Sequence, residues 1–215
     1  MQPSSSDHPI GQQLMAAMRG DSEAADALIE RGEPGVQAML QTRNRGPYPP
    51  DRHVIDAARH LTGILMRIAR TDPTPLFRLA HHSALQLEDA ELSDLVRITQ
   101  AVSPAHEDSA VDLASTLLEH PNPYVRYHCV RVLLQFPRER TRDLLLGRLR
   151  DSSLMVRRRV IHGMTANGFF RTPAALPYLD HLLGERNGNR RGSLLWAEMK
   201  TLQRIIQAER PGARV

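Results

Sequence analysis

The stretch Pro123-Tyr-Val-Arg-Tyr-His-Cys-Val130 returns 31 residues later as Leu154-Met-Val-Arg-Arg-Arg-Val-Ile161. At this offset Val125 falls on Val156, Arg126 on Arg157, Cys129 on Val160, Val130 on Ile161, Leu133 on Met164 and Leu145 on Leu176. Within each copy the apolar positions run i, i+4, i+5, i+8, which is one face of a helix. Each copy reads as a helix, a turn and a second helix. A unit this short cannot bury both stripes by itself, so successive copies must stack on one another.

The same helical spacing extends through the rest of the chain. Leu14, Ala17 and Met18 lie on one segment that starts near Asp7 and Pro9 and ends at Gly20. Ala24, Ala25, Leu28 and Ile29 lie on a second segment that opens at Asp21. Gly32-Glu33-Pro34 breaks the chain before Val36, Met39 and Leu40, which gives a helix pair with a very short turn. Residues 44–50 hold three prolines and a glycine and predict a loop. A long helix over 51–71 follows, with Ile55, Ala58, Leu61, Leu65 and Ile68 on one stripe. Helices carrying Leu76, Leu79 and Ala80, then over 91–102 and 107–119, complete the middle of the chain. No run alternates apolar and polar residues, so no sheet is expected. Hydrophobic content of 41% with only 4% aromatics suits a folded helical chain.

Two stretches carry a family resemblance. His120-Pro-Asn-Pro-Tyr-Val-Arg126 and Arg150-Asp-Ser-Ser-Leu-Met-Val-Arg157 are each followed by a second helix, holding Leu144, Leu145 and Leu149 or Leu176, Leu179 and Leu182. They resemble the HEAT-repeat family, in particular its short bacterial phycobilisome-lyase-like type. The resemblance is clear over 119–184 and fainter over 28–43, where Glu30-Arg-Gly-Glu-Pro-Gly-Val36 is similar to a family turn. It implies an all-α fold, an α-solenoid or compact stack of about five antiparallel helix pairs. On this reading residues 1–215 form a single helical-repeat domain, divided by the loop at 44–50 and closed by a capping helix over 192–209.

The single cysteine, Cys129, excludes an internal disulfide framework and suits a reducing compartment. The first residues have no secretory pattern and no window reaches the length of a membrane span, so a cytoplasmic protein is expected. No cofactor is expected. The histidines offer little metal chemistry: His53, Asp56 and His60 share a helix face, but His60 is almost two turns from His53, too far for one ion. His81-His82 suits a helix end. Cys129 occupies the slot of Val160 and reads as core, and the adjacent His128 points about 100° away. No phosphate loop, nucleophile elbow or zinc helix is present. Gly184 to Gly192 is glycine-rich but follows no strand, and reads as a loop.

Charge is distributed unevenly. Residues 1–118 hold 10 basic and 16 acidic side chains, whereas 119–215 hold 18 and 8. The C-terminal half therefore suits an acidic partner. Arg138, Arg140, Arg142, Arg158, Arg159, Arg190 and Arg191 are the candidate partner contacts. Three functions are compatible with this pattern. The first is a non-catalytic protein-interaction scaffold or adaptor that meets another protein's acidic surface. The second is a nucleic-acid binder, which would add Arg148 and Arg150. It is weakened by the scarcity of aromatics for base stacking, Trp196 being the one tryptophan, and a repair glycosylase would want a carboxylate beside that ring, where Glu198, two residues on, faces away. The third, a lyase-like activity, rests on the resemblance alone.

The run Arg157-Arg-Arg159 divides. Arg157 recurs as Arg126, and the resemblance makes it a structural residue bridging to a neighbouring turn or carboxylate. Arg158 and Arg159 fall on Tyr127 and His128 and remain candidates for a partner's acidic surface. Val125, Arg126, Val130, Val156, Arg157 and Ile161 are the structural repeat positions. Leu154 is placed with the packing residues, and Ser152 or Asp151 is expected to cap the helix.

Overall fold

The structure, a computed structural model, describes residues 10–44, 52–83, 87–184 and 194–209. Its α-helices there are α1 (Ile10–Met18), α2 (Ser22–Glu30), α3 (Glu33–Asn44), α4 (Arg52–Thr71), α5 (Thr74–Ser83), α6 (Asp89–Ile98), α7 (Glu107–Leu117), α8 (Pro123–Leu133), α9 (Glu139–Arg148), α10 (Leu154–Ala166), α11 (Leu176–Gly184) and α12 (Leu194–Ala208). No strand occurs among the described residues. The fold is an all-α helical stack, as the spacing predicts. The expected start near Asp7, nearly all of the loop at 44–50 and most of the Gly184–Gly192 stretch lie outside the described residues, as does the start of the 192–209 capping helix.

The chain divides into two compact units, Met1–Leu113 and Ala114–Val215, so the division falls within α7. In the first unit α3 is the central element, packing against α1, α2, α4, α5 and α6. Its buried Val36, Met39 and Leu40 join Leu28, Leu61, Leu65, Ile68, Leu76, Leu79, Leu92, Leu95 and Ile98 in the core. The end of α3 is fastened by Arg43, whose Nε donates to Thr62 Oγ1 of α4 at 2.9 Å and whose guanidinium pairs with Asp94 of α6. On α4 the buried face is Ala57, Leu61, Ile64, Leu65 and Ile68, while Ile55 is exposed. The expected stripe begins too early: Ile55 lies two positions before Ala57, and two positions on a helix are about 200° apart.

The short turn between α2 and α3 follows from its glycines. Asp21 Oδ1 accepts the Ala24 amide and caps α2. Gly32 has φ +64°, a left-handed value that glycine adopts without strain, and closes α2 while its carbonyl accepts the Val36 amide. One turn into α3, a Cβ on Gly35 would lie 2.1 Å from the carbonyl oxygen of Leu28. Only a hydrogen fits between these helices.

In the second unit α8, α10 and α12 lie side by side, α9 packs on both α8 and α10, and α11 packs on α12. Val125, Cys129, Val130 and Leu133 of α8 and Val156, Val160, Ile161 and Met164 of α10 are buried, so the two stripes offset by 31 residues form one core.

Gly35→Ala should destabilise the protein by about 1–3 kcal/mol, because the neighbouring atom is backbone and cannot rotate away. Gly63→Ala, on α4 with nothing within 4 Å of the new methyl, should instead stabilise by roughly 0.5–1 kcal/mol. Urea unfolding of the two variants checks the opposite signs.

Candidate partner-binding site

The seam between α8 and α10 is fixed by one guanidinium. Arg126 Nε and Nη2 donate to the two carboxylate oxygens of Asp151, each at 2.8 Å, and both side chains are buried. Nη2 also reaches Ser152 Oγ at 3.3 Å, while Nη1 donates to the carbonyls of His120 at 2.7 Å and Pro121 at 2.8 Å. Arginine has five N–H donors, and all five have acceptors in two successive turns. In the next repeat Arg157 makes the same kind of backbone contact: its Nη1 reaches the carbonyls of Asp151 at 2.7 Å and Ser152 at 3.4 Å.

The turns match as well. Asp151 Oδ1 accepts the Ser153 amide at 2.8 Å, where His120 Nδ1 accepts the Asn122 amide at 3.2 Å one repeat earlier. Asp151 therefore closes the turn before α10 and does not cap the helix; the N-cap residue is Ser153, and neither expected cap holds that position. Burial pushes the Asp151 carboxyl up, but the Arg126 hydrogen bond, the Ser153 amide and the charges of Arg126 and Arg148 outweigh it and hold it below its ordinary value.

Two further contacts orient α12. Arg158, the fifth residue of α10, pairs through Nε and Nη2 with both carboxylate oxygens of Glu198, the fifth residue of α12, at 3.2 Å each. Arg171, just past α10, donates to the Met164 and Thr165 carbonyls and to Glu209 just past α12. Start meets start and end meets end, so α10 and α12 run parallel, as the repeat makes α8 and α10 do. Their first turns share one edge, and on it Tyr124, Leu154 and Leu194 are 60%, 49% and 61% exposed.

Behind this edge lies a cavity of about 680 Å³ lined by Tyr127 of α8, by Ser153, Leu154, Met155, Arg158, Arg159 and His162 on or beside α10, and by Glu198 of α12. Leu154, Arg158 and His162 follow one another at i, i+4, i+8 along it. The Nε of Arg159 is buried and has no hydrogen-bond partner. Leu154 is thus not a packing residue: it stands two positions before Val156, on the opposite face of α10.

The candidate arginines are dispersed. Arg138 and Arg140 are exposed at the start of α9. Arg142 lies 3.7 Å from Glu139 and 3.9 Å from Asp143, with its guanidinium over the Phe169 ring. None of these three lines the cavity, whereas Arg158 and Arg159 do. Arg190 and Arg191 lie outside the described residues. Arg148 is held by the Leu118 carbonyl and Glu119, and Arg150 stacks over Tyr178.

Residues 110–197 match the family model of HEAT repeats. This segment belongs to the HEAT-repeat family. Among curated proteins none matches the chain. Cys129 is fully buried at the position that Val160 fills in the other copy, and burial pushes its thiol pKa far up. Among the described residues no group of His, Cys, Asp or Glu is placed to hold a metal ion; the His53 side chain falls outside them. No described helix is long and apolar enough to cross a membrane. The cavity residues that sequence reasoning missed, Tyr127, Met155, His162 and Glu198, carry one usable signal. Tyr127 and Arg158, like Arg131 and His162, are positions where the HEAT copies differ while their inward stripes agree.

Asp151→Asn leaves Arg126 buried without its counter-charge and should cost about 3–5 kcal/mol near neutral pH. A carboxyl with a depressed folded pKa stabilises above its unfolded value, about 3.9. That stability is lost as pH falls through the folded pKa. Urea unfolding of both proteins should show a gap that is constant above about pH 4–5 and narrows only below that range.

Proposed function

We propose that the protein is a non-catalytic interaction scaffold whose second unit docks another protein on the shared edge of α8, α10 and α12. The observation that carries this reading is the row Tyr124, Leu154 and Leu194, large apolar side chains exposed on three successive first turns beside a cavity bearing two arginines. Single exposed apolar residues are ordinary, but an aligned set against a charged cavity is the composition of a recognition surface. HEAT-type stacking supports it, because the repeats bury their stripes on each other and leave one rigid face for a ligand.

The nucleic-acid reading finds less support. Its arginines are separated between the start of α9 and the cavity, and Arg142, Arg148 and Arg158 already face carboxylates. A phosphate-tracking groove presents its cations in a continuous line.

Affinity capture with the full chain from its host should retain one stoichiometric protein. Leu154→Asp should reduce that retention roughly tenfold or more, since it places a charge in the apolar contact. The exposed position leaves the fold intact, which a thermal melt verifies. Retention unchanged in Leu154→Asp, and also in Tyr124→Ala, would remove the edge from consideration.

A further inference from the structure

Resting on that docking surface, we infer that the cavity behind it receives a carboxylate from an acidic, leucine-bearing segment of the partner, and that Glu198 holds the place of that carboxylate until it arrives. The two arginines are in different states. Arg158 is half exposed and already grips a carboxylate through Nε and Nη2, the two-pronged geometry in which guanidinium and carboxylate match. Arg159, the next residue, lines the same cavity with its Nε buried and without a hydrogen-bond partner. With Nε shut off from the cavity, the guanidinium offers an incoming oxygen its terminal Nη donors.

Several features favour a carboxylate over a phosphodiester. The ligand already gripped there is a carboxylate. The uncharged lining is Leu154, Met155 and Ser153 with two rings, Tyr127 and the imidazole of His162. A base-stacking platform needs several such rings. Counting the charged groups of the lining, two arginines face one glutamate, so one positive charge remains for an incoming acidic residue. Leu154 on the rim, one turn from Arg158, sets an apolar neighbour beside the bound carboxylate. The pair Arg158–Glu198 is exposed enough to exchange, because an ion pair in contact with solvent is weak.

The test uses the full chain and a fluorescein-labelled peptide of alternating glutamate and leucine, with its glutamine counterpart and a single-stranded oligonucleotide as controls, read by anisotropy. The glutamate peptide should bind more tightly than either control. Arg159→Ala should weaken it roughly ten- to a hundredfold, the loss of a charge-assisted bond. Arg159→Lys should restore only a fraction of this. Glu198→Gln should strengthen binding about two- to fivefold by releasing Arg158. Tighter binding of the oligonucleotide, or a Glu198→Gln variant that binds the peptide no better than wild type, overturns the inference. Captured partner that is lost with Leu154→Asp but unaffected by Arg159→Ala sinks this carboxylate site while leaving the docking edge standing. Captured partner indifferent to both sinks the two together.

Discussion

The second unit depends on a buried pair of opposite charges, Arg126 and Asp151, that belongs to two repeats at once. Apolar burial holds α8 against α10, with Leu134 seated on Gly163, but it is less directional than a hydrogen-bonded ion pair and leaves small shifts in register open. The Arg126 guanidinium removes that freedom: it needs the carbonyls of its own turn and the carboxylate of the next turn in the same plane. With the register set there, Leu154 falls on the edge and Arg158 and Arg159 fall on the cavity. The positions of the exposed groups are consequences of a contact that is itself mostly hidden from solvent.

A second constraint works in the opposite way. At the α2–α3 turn, closeness depends on the absence of a side chain at Gly35, and the first unit gathers its core around α3 as a result. The first unit is organised by a steric minimum and the second by a charge pair. The HEAT match, over 110–197, falls almost wholly in the second.

Much of the fold was legible because helical periodicity survives in single segments. The inward positions Val125, Val130, Val156 and Ile161 are buried as their spacing requires, and Arg126 does bridge to a carboxylate while Arg157 bridges to a turn. Two of the readings that failed share one cause. Ile55 and Leu154 are apolar residues two positions ahead of the first buried one, and a count of apolar residues takes them into the stripe although the helix turns them away from it. The site was less legible. Arg158 and Arg159 could be singled out because they break the repeat, but Glu198 lies 40 residues from Arg158 and pairs with it only through the parallel packing of α10 and α12. Sequence spacing has no access to a contact made by a third helix, and for the same reason the unpartnered Nε of Arg159 carries no mark in the sequence.

The chain holds 28 basic residues of which only Lys200 is a lysine, a bias that reads first as genomic base composition. At Arg126 that explanation is insufficient. An ammonium group offers three donors around a point, whereas five acceptors in two successive turns surround this side chain. If mutational drift were to reverse the base composition and exchange arginine for lysine across the surface, solvated positions such as Arg140 would tolerate it. The residue at 126 would stay arginine, held by geometry and not by codon usage.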